Sequence, residues 1–323
     1  MSYAQALNDA LGQALANDPK VLVMGEDIGH HGGVFAVTKG LLERFGPKRV
    51  IDTPISESGF LGAAIGAATV GYRPVVELMW VDFAMVAMDP IVNQAAKTSY
   101  MSDGRVKVPL VIRTQQGAGR GNGAQHSQSL ETMFAQVPGL KVAAPFEPAD
   151  AKGMLMAAVE DDGPVIFLEH KLLYTRKGDV PGGRHVVPLG KAKVSRLGQD
   201  VTLVALSRMV ELAETAAKEL SRQGVEAEVI DLRCLVPLDI ETIRVSLQKT
   251  GRVVLVQEAH RSFGWAAEVS ARLMEDSFDD LKAPVRRITS EDVPFPYNQR
   301  LEASVMPSVP KVVAAALSLC QDY

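Results

Sequence analysis

Short apolar segments rich in β-branched residues alternate with helical patterns along the whole chain. In the first half, five such segments occupy residues 21–24, 75–78, 110–113, 141–143 and 165–168. Apolar runs of this length without polar alternation indicate strands that are covered on both faces. Because buried strands alternate with helices, the pattern predicts an α/β fold with mainly parallel sheets flanked by helices.

The chain is long enough for two hydrophobic cores, since its 323 residues exceed the usual size of one. The alternation lapses into glycine, proline and polar residues between 177 and 190 and then restarts. We predict a first domain over 1–180, a linker over 181–195 and a second domain over 196–323. In the second domain, strands are expected near 201–206, 228–232, 253–257 and 285–289, and helices near 210–223, 238–248 and 311–319.

Charge and cysteine content narrow the classes of partner. The 34 basic and 38 acidic residues are mixed along the chain and leave a net charge of −4, which argues against nucleic acid and anionic lipid as partners. Two cysteines are too few for a disulfide framework and suit a reducing compartment. The first residues lack a signal-peptide pattern, and no apolar run approaches the about 20 residues of a membrane span. We expect a cytoplasmic protein.

One helix, expected over residues 57–70, has an unusual composition. Ser56 is the expected N-cap and Gly71 the expected stop, and one flank consists of the small residues Gly59, Gly62, Ala63, Gly66 and Ala67. Such a flank predicts that another backbone packs closely against it. Glu57 begins this helix, either as a first-turn acid stabilised by the helix dipole or as a carboxylate in a poorly hydrated cleft that shares a proton with a heterocyclic base. Position alone leaves both interpretations open.

Three other segments carry candidate functional residues. Trp80 and Phe83 follow a strand and offer either a flat apolar wall for a planar ring or ordinary core packing. His126 follows a glycine-rich stretch, residues 117–123, which is either a flexible surface loop or a ligand-approaching one; it is not a P-loop. Glu26 and Asp27, just past the first strand, are either functional acids or helix caps. His30 and His31 lack a third ligand at a recognisable spacing, which argues against a transition-metal site.

Several motifs in the right order resemble the β chains of the decarboxylating first component of 2-oxo acid dehydrogenase complexes, which are transketolase-like thiamine enzymes. The resemblance covers the chain from about Tyr3 onward. It rests on residues 52–57 (Asp-Thr-Pro-Ile-Ser-Glu), 81–83 (Val-Asp-Phe), 125–128 (Gln-His-Ser-Gln), 138–142, 150–153, 164–170 and 228–233. It implies a pyrimidine-binding domain in the first half and a transketolase-type C-terminal domain in the second.

The resemblance also implies roles for individual residues. Glu57 matches the carboxylate that hydrogen-bonds the aminopyrimidine ring of thiamine diphosphate, and Phe83 matches the aromatic residue that packs on that ring. His126 matches a histidine near the reacting carbon that assists decarboxylation or reductive acylation of a lipoyl group. Glu26 matches an acid in the hydrogen-bond neighbourhood of the cofactor.

Cofactors and partners follow from the same resemblance. The chain lacks the Gly-Asp-Gly and Asn-Asn elements that hold magnesium and the diphosphate, which implies that a separate α subunit carries them in an α2β2 heterotetramer. The small-residue helix is then an intersubunit face, and a lipoyl acyltransferase core is a further partner. The resemblance also allows a potassium ion, bound mainly through backbone carbonyls at the positions of Leu110, Ala158, Val159, Asp161 and Gly163.

The implied reaction is oxidative decarboxylation of pyruvate or a branched-chain 2-oxo acid, with acyl transfer to lipoamide. Acetoin dehydrogenase β chains look similar around residues 77–83 and 169–174 and stay an alternative. Two further readings are a structural β scaffold with a degenerate site and a fragment of a single-chain transketolase or deoxyxylulose-phosphate synthase. Retention of Glu57, Phe83 and His126 together argues against the scaffold.

Overall fold

The computed structural model describes residues 1–322 and divides the chain into two compact units. The first comprises Met1–Gln116 and Met133–Leu189, and the second comprises Gly117–Thr132 and the chain from Gly190 onward. Both are built on mainly parallel sheets, which confirms the predicted fold class.

Six strands of the first unit form a parallel sheet in the order β5-β6-β4-β3-β1-β2. Their bounds are β1 Val21–Gly25, β2 Val50–Asp52, β3 Arg73–Leu78, β4 Val111–Gln116, β5 Lys141–Ala143 and β6 Val165–His170. β4 and β6 are buried at every residue, because helices cover both faces of such a sheet.

The helices of the first unit are α1 Tyr3–Asn17, α2 Leu41–Phe45, α3 Glu57–Thr69, α4 Ala96–Met101 and α6 Pro148–Glu160, and α5 Glu131–Ala135 is divided between the two units at Met133. α1 begins with a capping box in which Ser2 and Gln5 satisfy each other's backbone donors, and it packs on α6. α3 begins at Glu57 as predicted. Ser56 occupies the N-cap position as predicted, although its side chain makes no capping hydrogen bond.

The sheet of the second unit has the order β12-β11-β8-β9-β7, and only β7 is antiparallel. The strands of this unit are β7 Lys193–Arg196, β8 Val201–Ala205, β9 Ala227–Asp231, β10 Cys234–Val236, β11 Val253–His260 and β12 Arg286–Ser290. Its helices are α7 Met209–Ser221, α8 Ile240–Thr250, α9 Trp265–Asp276, α10 Gln299–Val305 and α11 Val309–Gln321. The Asp239 side chain caps α8 by accepting a hydrogen bond from the Thr242 N–H.

Residues 117–132 were expected in the first domain, and their contacts group them with the second unit. The backbone N–H groups of Ala118 and Gly121 donate to the carboxylates of Glu258 and Glu302 at 2.7 and 2.9 Å. These bonds link positions 140 and 181 residues apart, so local sequence patterns do not indicate them.

One stretch of the described residues, Gln299–Gln321, is long and apolar enough to cross a membrane by composition alone. It is divided between α10 and α11, with Met306–Ser308 between them, and Val312, Ala316 and Leu319 are fully buried. We therefore interpret α11 as a core helix of the second unit.

Candidate functional site

Three strand ends of the first unit lie side by side at the carboxyl edge of its sheet. β1 lies between β2 and β3, and Gly25 pairs in register with Asp52 and Glu77. Glu26 follows β1, α3 begins with Glu57 after β2, and Phe83 lies just past β3. This edge is where parallel α/β sheets bind their ligands.

Glu26 and Glu57 are close enough to interact electrostatically. Burial raises the pKa of the Glu26 carboxyl, and the charges of Glu57 and Asp27 raise it further. Glu26 is buried, and its Oε1 has no hydrogen-bond partner within the described part of the chain. A buried carboxyl with an unpartnered oxygen is suited to hydrogen-bond a polar ligand group, because leaving it unsatisfied costs free energy.

The loop after Glu26 is tied to the neighbouring strand. The Gly29 N–H donates to Asp52 Oδ1 at 2.6 Å, and the Thr53 N–H donates to the Gly25 carbonyl at 2.9 Å. These bonds hold the segments that carry Glu26 and Glu57 in a fixed relation. His31 lies 3.6 Å from Asp27, and both side chains are exposed. No group of three potential metal-ligating side chains occurs among residues 1–322.

Phe83 lies on a 3-10 helix, Val81–Ala87, and is half-buried. Its N–H donates to the Trp80 carbonyl at 3.0 Å. Trp80 adopts a positive φ of 66°, which is strained for a bulky residue, and its own N–H donates to Gln115 Oε1 at 3.0 Å. The Trp80 ring contacts the Phe35 ring edge-on and lies 4.8 Å from the Lys171 ammonium. Trp80 thus serves as a packed anchor for the segment that presents Phe83.

A buried ionic network near this edge was not predicted from the sequence. Arg113 is fully buried, and its guanidinium donates to Glu77 at 2.8 Å and to both Glu169 oxygens at 2.7 and 2.9 Å. The Tyr174 hydroxyl donates to Glu169 at 2.6 Å. Burial lowers the pKa of Arg113, but the carboxylates of Glu169 and Glu77 outweigh this effect and raise it. The sequence feature that could have indicated this network is a charged residue directly after the apolar run in each of three strands.

His126 lies on the segment that belongs to the second unit. Its N–H donates to the Gly123 carbonyl at 3.4 Å, and the Gly117 N–H donates to the Gln128 carbonyl at 2.9 Å. Gly123 has φ +75°, and the Tyr297 ring lies where a Cβ at Gly123 would be, so only glycine fits there. The glycines of this loop therefore allow the loop to turn and also allow it to pack closely within the second unit.

The carbonyl segment at the end of α6 contacts a basic side chain. Arg73 Nη1 donates to the carbonyls of Val159 and Asp161 at 3.0 and 2.9 Å, and Arg73 Nη2 donates to Asp162 Oδ1 at 2.8 Å. The carbonyl of Leu110 accepts the Val165 N–H at 2.8 Å. Three of the five carbonyls expected to bind an ion, those of Leu110, Val159 and Asp161, are therefore already hydrogen-bonded within the chain.

Comparison with known families matches both units to described domains. Residues 1–177 match the pyrimidine-binding domain of transketolase, and residues 190–312 match the transketolase C-terminal domain. The β-1 subunit of the mitochondrial pyruvate dehydrogenase E1 component of Arabidopsis thaliana is 47% identical over 99% of this chain and 89% of the relative. The E1 component β subunit of Rickettsia bellii is 48% identical over 99% of this chain and 98% of the relative. The chain belongs to the family of pyruvate dehydrogenase E1 component β subunits.

Solved structures of transketolase-like proteins share the fold of this E1 β-subunit family member. A split-gene transketolase described as an inactive β4 tetramer has a TM-score of 0.80 and 25% identity, over 99% of this chain and 98% of that chain. A transketolase of Pichia stipitis has a TM-score of 0.73 at 16% identity, over 46% of that chain. The resemblance inferred from the motifs is confirmed, and with it the thiamine-diphosphate-dependent class.

Proposed function

We propose that this chain is the β subunit of an α2β2 pyruvate dehydrogenase and supplies the pyrimidine half of its thiamine diphosphate site. The observation that supports the proposal is the carboxyl pair Glu26 and Glu57 at one sheet edge of a unit that matches the pyrimidine-binding domain, with Phe83 just past a neighbouring strand. The unpartnered Oε1 of Glu26 and the half-buried ring of Phe83 fit a planar heterocycle with polar edges.

Each of these residues has a distinct proposed role. Glu57, at the first turn of α3, hydrogen-bonds a ring nitrogen of the aminopyrimidine and holds a proton there. Glu26 supplies a second carboxyl in the same neighbourhood, and Phe83 packs on the ring face. When bound, thiamine diphosphate supplies a thiazolium that acts as the electron sink for decarboxylation. The low dielectric of a buried site strengthens the hydrogen bonds of the acids to the cofactor.

His126 is proposed as the residue that handles a proton at the substrate or at the lipoyl group. It follows the glycine-rich loop anchored by Glu258 and Glu302, so its backbone is held by buried acids. An imidazole side chain can both donate and accept a proton.

The other half of the site is proposed to come from an α subunit, which binds the diphosphate and magnesium. Membership of an E1 β-subunit family supports an α partner and a larger complex. The relative crystallised as a tetramer of β chains is described as inactive, which supports a requirement for a second chain type. A lipoyl acyltransferase core is the proposed acceptor of the acyl group.

Within the first unit, the small-residue flank of α3 is open to a partner. A Cβ at Gly62 or Gly66 would meet no atom within 4 Å, and Ala63 is exposed. A helix with glycines at such positions loses roughly 1 kcal/mol of helix stability per glycine. This cost has no compensating contact inside the chain, which supports the proposal that another subunit packs there.

We propose the cytoplasm as the working compartment, since Cys234 and Cys320 are both free thiols and burial raises the pKa of Cys234 to about 12. Immunodetection in cell fractions tests this; recovery of the protein only with membranes or with an organelle fraction would contradict it.

The first experiment is substrate-dependent dye reduction by the complex of this chain with its α subunit, supplied with thiamine diphosphate and magnesium. Pyruvate, 2-oxoisovalerate and acetoin are compared in parallel. We expect turnover of pyruvate, because the relatives described above are pyruvate dehydrogenase subunits, and no turnover by the β chain alone. Selective turnover of acetoin or 2-oxoisovalerate would replace the substrate assignment, and no turnover with the α subunit bound would support the scaffold reading.

The site assignment is tested by two variants in the same complex. Glu57→Gln and His126→Ala are each expected to lower pyruvate turnover by about 100-fold or more, while size-exclusion chromatography shows unchanged assembly with the α subunit. Glu241→Gln is the matched control, because it removes an exposed first-turn carboxylate from α8 and should leave turnover unchanged. Unaltered activity of Glu57→Gln would contradict the proton role of Glu57.

A further inference from the structure

The C-terminal end of α6 and the start of β3 are joined by a single guanidinium group. α6 ends at Glu160, and the following turn leads into β6. Arg73, the first residue of β3, donates from one nitrogen to the carbonyls of both Val159 and Asp161. Last-turn carbonyls of a helix lack intrahelical donors and carry partial negative charge, so a cation is favoured at this position.

The charges around Arg73 already balance. Asp162 pairs with Arg73 at 2.8 Å and with Lys107, Asp161 pairs with Lys141, and Asp18 lies 4.0 Å from Arg73 Nε. Three carboxylates therefore face three basic side chains. The Arg73 and Lys107 hydrogen bonds lower the pKa of Asp162 below its usual value, so its negative charge persists at neutral pH.

Two other carbonyls of the same cluster also accept hydrogen bonds. The Leu110 carbonyl accepts the Val165 N–H at 2.8 Å, and the Ala158 carbonyl accepts the Asp161 N–H at 3.3 Å. A monovalent ion held by carbonyls needs several of them to replace its hydration shell. An ion on the carbonyls of Val159 and Asp161 would also lie next to the guanidinium and be repelled by it.

We propose that the Arg73 guanidinium takes the place of a monovalent cation at the end of α6. The positive charge that a bound potassium ion would supply to these carbonyls is built into the chain. The first unit then keeps its stability in the absence of potassium, and the residues matching a potassium site, Leu110, Ala158, Val159, Asp161 and Gly163, do not fit an ion while Arg73 is present. This inference is independent of the substrate and of the α subunit.

The full-length chain and its complex with the α subunit are tested in potassium, sodium and tetramethylammonium chloride at equal ionic strength. The thermal midpoint of unfolding is expected to be the same in all three salts, and metal analysis of the desalted protein is expected to find no stoichiometric potassium. A rise of the wild-type midpoint specific to potassium, or one potassium ion retained per chain, would overturn the proposal.

Two variants of Arg73, together with a control variant of Arg49, distinguish replacement of a cation from ordinary helix capping. Arg73→Met should lower the midpoint by roughly 5 °C, because it leaves two carbonyls without their charged donor, and potassium but not tetramethylammonium should restore part of the loss. Arg73→Lys keeps the charge and should stay independent of potassium; this variant also serves if Arg73→Met does not fold. If no monovalent cation raised the thermal midpoint of Arg73→Met, the proposal that Arg73 replaces a cation would be overturned.

Arg49 provides the matched control. Its guanidinium also donates to three backbone carbonyls, those of Leu15, Asp18 and Val21, at 2.7 to 3.0 Å. Arg49→Met should lower the midpoint without any potassium-specific recovery. Recovery of both variants by potassium to the same extent would show a general salt effect and count against the proposal.

Discussion

Burial raises the pKa of the Glu131 carboxyl to about 7, and the nearby Glu258 carboxylate adds to the effect. Glu131 is 2% exposed, and its Oε2 has no hydrogen-bond partner in the described residues. Glu258 accepts the Ala118 N–H at the start of the segment that carries His126. The buried Glu131 carboxyl therefore lies near the Glu258 carboxylate that anchors this segment.

The raised pKa predicts a specific pH dependence. Glu131 binds its proton more tightly in the folded than in the unfolded state, where the value is near 4.5. Its contribution is therefore fully present below about pH 4.5 and is lost as the pH rises through about 7, by about 3 kcal/mol in total. Between about pH 5 and 8 the unfolding free energy of the wild type should therefore fall more than that of Glu131→Gln, by most of this total.

The exposed Glu241→Gln variant is the control and should follow the wild-type profile. Parallel profiles for the wild type and Glu131→Gln would mean that Glu131 is ionised in both states over this range.

At the same scale, residue types at strand and helix ends left both site and structural roles open for Glu26, Glu57 and Phe83. The family resemblance made them predicted site residues, and their assigned roles stay predictions. Arg113 and Glu169 were not predicted, because a charged residue inside an apolar run carries no information about its partner. The partners lie 36 and 56 residues away, and only strand order brings them together.

At the scale of the elements, the Arg113 network spans three adjacent strands. β3, β4 and β6 contribute Glu77, Arg113 and Glu169, which pair laterally across the sheet. The predicted strands 110–113 and 165–168 are each extended in the structure through polar residues, to Gln116 and His170. Those polar side chains end the apolar pattern without ending the strand.

Removing the central cation should destabilise the first unit strongly. Arg113→Met leaves Glu77 and Glu169 buried without their charge partner, which we expect to cost on the order of 3–5 kcal/mol. Denaturant unfolding of the full chain measures the loss. Arg222→Met is the control, because Arg222 forms an exposed pair with Glu219 on one helix, worth between zero and about 1 kcal/mol. Similar losses for both variants would show that the buried network contributes no more than a surface pair.

Some elements were predicted closely, and others were missed. α3, predicted over 57–70, spans Glu57–Thr69, and the predicted strand 141–143 matches β5. β2, β7 and β10 have three or four residues and were not predicted, although β5 is as short as β2 and β10. Segments this short contain little periodic pattern, and their strand geometry depends on neighbouring strands.

At the scale of the whole molecule, the open face of α3 predicts how the chain assembles. A Cβ at Gly66 would meet no atom of the chain within 4 Å, so we expect Gly66→Leu to fold normally yet fail to form the complex with the α subunit. Assembly with the α subunit should be impaired less by Gly66→Ala than by Gly66→Leu. Gly66→Ala should also gain up to about 1 kcal/mol of helix stability. Size-exclusion chromatography with light scattering, together with thermal unfolding of the isolated chain, measures both effects.

If Gly66→Leu assembled with the α subunit as well as the wild type does, no other chain would pack closely on this face. Loss of folding in the isolated chain would instead assign the small residues to internal packing.

The sequence by itself determined the α/β class, the parallel sheets, the family and the small-residue helix, because these depend on periodicity and on residue types at fixed spacing. Only the tertiary structure decided which distant residues meet. It grouped residues 117–132 with the second unit through Glu258 and Glu302, and it placed the Arg73 guanidinium on carbonyls 86 and 88 residues away. The physical reason is that hydrogen bonds and ion pairs between distant segments depend on strand order and on the path of the turns, and neither leaves a local pattern along the chain.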